Sequence, residues 1–231
     1  MTSLAEARLQ AHWAVQLVSA PGTTLLERQP DLSNTNLSWS RALQALVGTP
    51  VHGRSAALRI ADLTLLVGDR SFPLRGRTYQ EASAWLAERF DAQLERSEHE
   101  MPPHPVADGA VFGQPPGLAD LAGRFDAAHT ALAALGGDVF CWPHHFDIAS
   151  LFSLGGDRTI GAGMAPGDGS YPEPYYYVTP WPYPDADVTL PSLTEGTWHR
   201  QGWTGAVLPA VEDPTVFLKE AIGACRLLLG E

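Results

Sequence analysis

Leu9, Trp13 and Leu17 recur at four-residue spacing near the start of the chain, the stripe a helix needs to bury one side. Ser3 and Glu6 stand at the S-x-x-E spacing of a capping box, and Pro21-Gly22 supplies a stop signal, so a helix is predicted over 4–20. Thr78 and Glu81 repeat the capping spacing ahead of a second stripe of Ala82, Leu86, Phe90 and Leu94. A third stripe, Leu118, Leu121, Phe125, Leu132 and Leu135, runs up to Gly136-Gly137. Pro214 opens a fourth, with Phe217, Ala221 and Leu228 turned inward.

Between these helices the pattern is that of strands. Short segments are expected at 36–41, 58–67 and 72–74, with Gly68-Asp69 as a turn. A denser series follows at 138–142, 146–154, 159–164, 175–181 and 199–209, with Gly155-Gly156-Asp157 as a hairpin turn. Strands and helices come in blocks, not in strict alternation. The expected fold is therefore α+β, with a largely antiparallel sheet of about six to eight strands packed by about four helices. A chain of 231 residues is read as one domain, 1–231, with a possible sub-boundary in the proline-rich connection 98–117.

Composition narrows the partners. Fifteen basic against 26 acidic side chains leave a formal charge of −11, which repels phosphate backbones and anionic membrane surfaces. Neither nucleic acid nor a membrane is expected as partner. The first residues carry no basic and apolar pattern of a secretory signal, and no apolar run approaches a membrane span. A cytoplasmic location follows as the expectation, with Cys141 and Cys225 as separate thiols.

Candidate chemistry concentrates in 141–203, which holds 11 of the 21 aromatic residues and three of the eight histidines. Aromatic walls with a few interleaved polar groups suit a small-molecule or catalytic pocket. Trp142, Tyr175, Tyr177, Trp181 and Trp198 are its expected ligand-binding residues, and His145, Asp147 and His199 its catalytic ones. The plain alternative is that these rings fill a core. If the strand beginning at Phe146 extends backward, His145 and Asp147 share a face. Together with His199 they form a candidate 2-His-1-carboxylate set for a divalent metal, as in non-haem iron enzymes. The competing view makes these histidines buried groups bonded to backbone. A third view is a non-enzymatic module whose aromatic surface docks a protein.

Asp147 interrupts an otherwise apolar strand. If buried, it needs His145, His199, a Tyr hydroxyl from 175–177 or a Trp indole as partner. Asp168 and Glu173 flank the loop after Gly167 and are read as solvated acids. That glycine-rich stretch, 161–169, is not a phosphate loop, because Pro166, Pro172 and Pro174 prevent the helix such a loop must enter. No G-x-S-x-G is present, and Cys141 reads as a small buried hydrophobe.

The segments W-P-H-H-F-D-I-A at 142–149, P-G-D at 166–168, E-P-Y-Y-Y-V at 173–178, W-P-x-P at 181–184 and W-H-x-x-G-W at 198–203 occur together. With His12-x-x-x-Gln16 in the first helix, this set resembles a bacterial protein family without an established activity. The likeness implies a site in the C-terminal half and no particular reaction.

Phe90 is expected in the core with Trp13, Leu17, Leu86, Phe125, Leu132 and Phe217. Phe90→Ala should cost about 3–5 kcal/mol, read as a shift in the urea midpoint at unchanged slope.

Overall fold

The computed structural model describes residues 3–231, with side chains from Leu4 onward. Among them are four α-helices and eleven strands. The α+β class and the antiparallel pairing expected from the sequence are present, with more strands than the six to eight anticipated. The chain divides into two compact units: one of 1–126 with 140–146, the other of 127–139 with 147–231. The proline-rich connection 98–117 lies wholly within the first unit, so the chain is not divided there.

In the first unit, α1 (Ser3–Leu25) is longer than predicted and passes through Pro21. Proline removes one ladder bond. Beyond it, the hydroxyls of Thr23 and Thr24 donate to the carbonyls of Ser19 and Ala20, and Asn34 Nδ2 donates to the Gly22 carbonyl. These bonds hold the turn that proline weakens. The Ser3 half of the N-terminal capping box falls outside the described side chains; the Glu6 carboxylate accepts from Gln10 and meets His104.

Six antiparallel strands follow. They are β1 (Leu37–Ser40), β2 (Ala45–Gly48), β3 (Ala56–Arg59), β4 (Thr64–Val67), β5 (Arg70–Pro73) and β6 (Phe140–Trp142), in the order β6-β1-β2-β3-β4-β5. The single strand expected over 58–67 is a hairpin, β3–β4, because the chain reverses at Asp62-Leu63 with Leu63 at φ 49°. An apolar run conceals such a turn when its turning residue is itself apolar. Trp39, Leu46, Leu58 and Leu65 stand opposite one another across the strands and are all buried. Helix α2 (Tyr79–Phe90) has the predicted capping box, and it ends at Asp91 in the left-handed region, which excludes Leu94.

The W-P-H-H-F segment is the principal departure. It is a tight turn, not a backward extension of a strand: the amides of His145 and Phe146 both donate to the Trp142 carbonyl. Phe146 sits at φ 57°, costly for a bulky residue. The cost is offset locally. Phe146 is fully buried, with His12 and Phe125 each 5.2 Å away between ring centroids. The Pro143 carbonyl inside the turn accepts from Gln16 Nε2 at 2.6 Å and His12 Nε2 at 3.0 Å. The His-x-x-x-Gln spacing thus puts two donors one helical turn apart on a single carbonyl.

The second unit contains β7 (Asp147–Gly155), β8 (Arg158–Ala165), β9 (Tyr175–Trp181), β10 (Thr197–His199), β11 (Gly205–Pro209) and α4 (Thr215–Leu228). Its strand order is β10-β11-β9-β8-β7. The β7–β8 hairpin turns at Gly155-Gly156 as expected. The strand expected over 199–209 is two strands, because Gly202 at φ 84° reverses the chain between them. Helix α3 (Leu118–Ala133) carries the chain from one unit to the other. No described helix is long and apolar enough to cross a membrane. Cys141 and Cys225 are both buried thiols, and burial pushes Cys225 up to about 12.

His12 is pushed down to about 4, chiefly by burial. His144 is also lowered to about 4, by burial and then by His145, His99 and His12 nearby. Both are neutral when folded and take up protons when unfolded, so they favour the folded state above the ordinary 6.5. Stability should fall as pH drops from about 6.5 toward 4, by roughly 3 kcal/mol at most for His12 and less for the half-exposed His144. Urea titrations across that window check this, and His12→Gln should flatten the slope.

Candidate functional site

In antiparallel pairs, directly opposed residues share a face. Ala149, Gly163 and Tyr177 are opposed across β7, β8 and β9, and Val207 on β11 stands opposite Tyr177. Period two then places Asp147, Tyr175 and Ala165 on the same face, and His199 on β10 joins them through Gly205. The other face carries Ile148, Ile160, Ala162, Met164, Val178 and Ala206, all buried, and α4 packs against β8 and β9.

Two glycines on the first face, Gly163 and Gly205, each make room for a ring. A Cβ at Gly163 would stand 2.7 Å from the Tyr177 ring and hydroxyl and 2.7 Å from the Ala149 Cβ. Its absence lets Tyr177 lie across β8 and donate its hydroxyl to Asp147 Oδ2 on β7. A Cβ at Gly205 would stand 2.4 Å from the Trp203 indole. Trp203 folds over that gap, 6.4 Å from Tyr177 and 4.5 Å from His199 between centroids.

The loop before β9 completes the layer. Asp168 Oδ1 accepts from the amides of Ser170 and Tyr171, which fixes the turn, and its Oδ2 accepts the Tyr175 hydroxyl at 2.5 Å. That distance is typical of a charge-assisted bond. Burial, then the Asp168 bond and the charges of Asp168 and Asp147, raise the Tyr175 phenol well above its ordinary value, so it remains a donor. His199 Nε2 lies 2.8 Å from the Gln201 carbonyl and its Nδ1 3.0 Å from the Tyr171 hydroxyl. A carbonyl only accepts, so the neutral ring donates from Nε2 and receives the Tyr171 proton at Nδ1.

Successive ring centroids from Tyr171 to Tyr175, Tyr177, Trp203, His199 and back to Tyr171 are 4.8, 6.3, 6.4, 4.5 and 5.5 Å apart. Five rings therefore close a circuit, in which Tyr175 forms a buried cluster with Ala165 and Val207, and Tyr171, Tyr177 and Trp203 pack against that cluster. Tyr171, Tyr177, Trp203 and His199 each remain partly exposed.

Of the residues singled out in the sequence, Asp147, Tyr175, Tyr177 and His199 come together on this face. Asp147 is buried and takes a Tyr hydroxyl, one of its three anticipated kinds of partner. Trp198 points to the other face, donating its indole N–H to the Pro191 carbonyl. Trp181 is exposed at the end of β9 against Tyr183. Trp142 and His145 belong to the turn of the first unit. The expected metal set of His145, Asp147 and His199 loses its premise, since His145 stands in a turn and both His199 nitrogens are engaged. Among the described residues no group of three or more His, Cys, Asp or Glu side chains is placed to hold a metal ion. Five clefts, one of 490 Å³ lined by Arg28, Asn34, Arg96 and His99 among others, all lie in the first unit and use none of these rings.

Sequence reasoning missed Tyr171, Trp203 and Asp168 as members. For Asp168 a signal existed: Asp followed two and three residues later by Ser170 and Tyr171 is the spacing of a side-chain-capped turn. Comparison with family models, curated proteins and solved structures finds no match to this chain.

Gly163→Ala should displace Tyr177 from Asp147 and cost about 1–3 kcal/mol by overpacking. Loss of near-ultraviolet tyrosine dichroism with the far-ultraviolet spectrum retained checks it.

Proposed function

We propose that the protein binds a small organic molecule on the aromatic face of its second unit. The observation that carries this reading is the closed circuit of five rings, four of them partly exposed, with two of its tyrosines bonded to carboxylates. A hydrophobic core has no need of such a layer. Rings in a core are covered by neighbours from another element, whereas Tyr171, Tyr177, His199 and Trp203 stay partly exposed. Here the hydroxyls of Tyr175 and Tyr177 are fixed by Asp168 and Asp147, so the ring faces are preorganised, which lowers the entropic cost of binding. The likeness to the bacterial family with the W-P-H-H-F-D-I-A pattern belongs to the same proposal, since its E-P-Y-Y-Y-V and W-H-x-x-G-W segments supply four of the five rings.

A protein-docking role for the same face is favoured by one observation: Leu151 and Trp181, which lie on it, are 58% and 54% exposed. Such a partner would need a patch wider than the circuit.

A fragment screen read by indole N–H resonances separates these readings. Hits are expected to shift Trp203, and Trp203→Leu should weaken them at least about tenfold, roughly 1.4 kcal/mol. Hits that leave Trp203 unmoved and bind the variant equally would place binding elsewhere and sink the proposal.

A further inference from the structure

We propose that the five-ring circuit of the second unit is a cage for the head of an alkylated ammonium ion, so that the ligand class is an organic cation of the quaternary-amine type. The inference rests on the small-molecule reading of the same face and names its chemistry.

The first support is geometric. A regular circuit with the centroid spacings given above has each ring centroid about 5 Å from its centre, inside the ~6 Å over which a ring face attracts a cation. The ring planes are inclined successively by 46°, 53°, 79°, 28° and 61°. Trp203 and His199 stack on each other, and the other successive pairs are tilted or T-shaped, so the five rings do not form one flat wall. The floor of Ala165 and Val207 is apolar, suited to methyl groups and not to the N–H donors of a primary amine, which need acceptors.

The second support is electrostatic. Two carboxylates meet this layer: Asp147 from the buried end and Asp168 from the exposed rim. Each accepts a tyrosine O–H. Asp168 and Asp147 both hold the Tyr175 phenol in its protonated form. Arg200, adjacent to His199 in the chain, is turned away and donates at 2.5 Å to the carbonyls of Ala186 and Val188. An anionic ligand therefore meets repulsion here, and a neutral one gains only ring contact. A cation gains both the ring quadrupoles and the carboxylate field.

The test titrates the full chain with choline, with tetramethylammonium and with 3,3-dimethylbutan-1-ol, the uncharged isostere of choline, by calorimetry and indole resonances. Both cations should bind saturably and shift Trp203, with the isostere at least about tenfold weaker. Asp147→Asn and Asp168→Asn should each weaken choline by a larger factor than they weaken the isostere, because both ligands lose ring positioning but only choline loses the carboxylate charge. Trp203→Leu should abolish choline binding, while Trp203→Phe, which keeps a ring, should retain it and guards against a mere folding defect. Equal affinity for choline and its isostere overturns the cation inference. So does absence of binding by both cations at tens of millimolar. In either case, fragment hits at Trp203 would leave the small-molecule reading standing.

Discussion

Tyr177 can lie flat across β8 and reach the Asp147 carboxylate on β7 because position 163 between them has no Cβ. A β-strand normally fills each such position with a side chain standing off the sheet. Leaving it vacant makes a shallow trough one strand wide, and the Tyr177 ring occupies it. Gly205 repeats the device two strands away, where the Trp203 indole occupies the space. The rest of the layer follows from these two absences. With Tyr177 and Trp203 laid over the sheet, Tyr175 and His199 stand beside them in register, and Tyr171 closes the gap from the loop.

The three tyrosine hydroxyls and the imidazole of the layer each have a directed partner. Tyr175 gives its proton to Asp168, Tyr177 to Asp147, Tyr171 to His199, and His199 to the Gln201 carbonyl. Networks of this kind fix ring orientation more tightly than packing alone, because each bond restricts the rotation of the next side chain. The same bonds occupy both ring nitrogens of His199.

The first unit solves a different problem. The chain must turn sharply between Trp142 and Phe146, and it does so with a phenylalanine in the left-handed region. Helix α1 stabilises that turn through one carbonyl, that of Pro143, which takes two donors from His12 and Gln16. The same burial that positions His12 keeps its ring neutral, so a group that could act as a pH sensor serves here as a fixed donor and stacking partner for Phe146.

The sequence by itself determined the elements that depend on local rules. The Thr78–Glu81 capping box, the Gly155-Gly156 hairpin, the helix stripes through Phe90, Phe125 and Phe217, and the α+β class are each written in residues within a few positions of one another. It also marked Asp147, Tyr175, Tyr177 and His199, because a carboxylate in an apolar strand and a run of tyrosines are unusual locally. The sequence could not mark what depends on opposition across strands. That Gly163 faces Tyr177, that Gly205 makes room for Trp203, and that Trp198 and His199 point to opposite faces are consequences of register. Register is set by the pairing of segments distant in sequence. The turn at Phe146 was hidden for the same reason: only burial against His12 and Phe125 makes a left-handed phenylalanine tolerable, and those neighbours are supplied by tertiary structure.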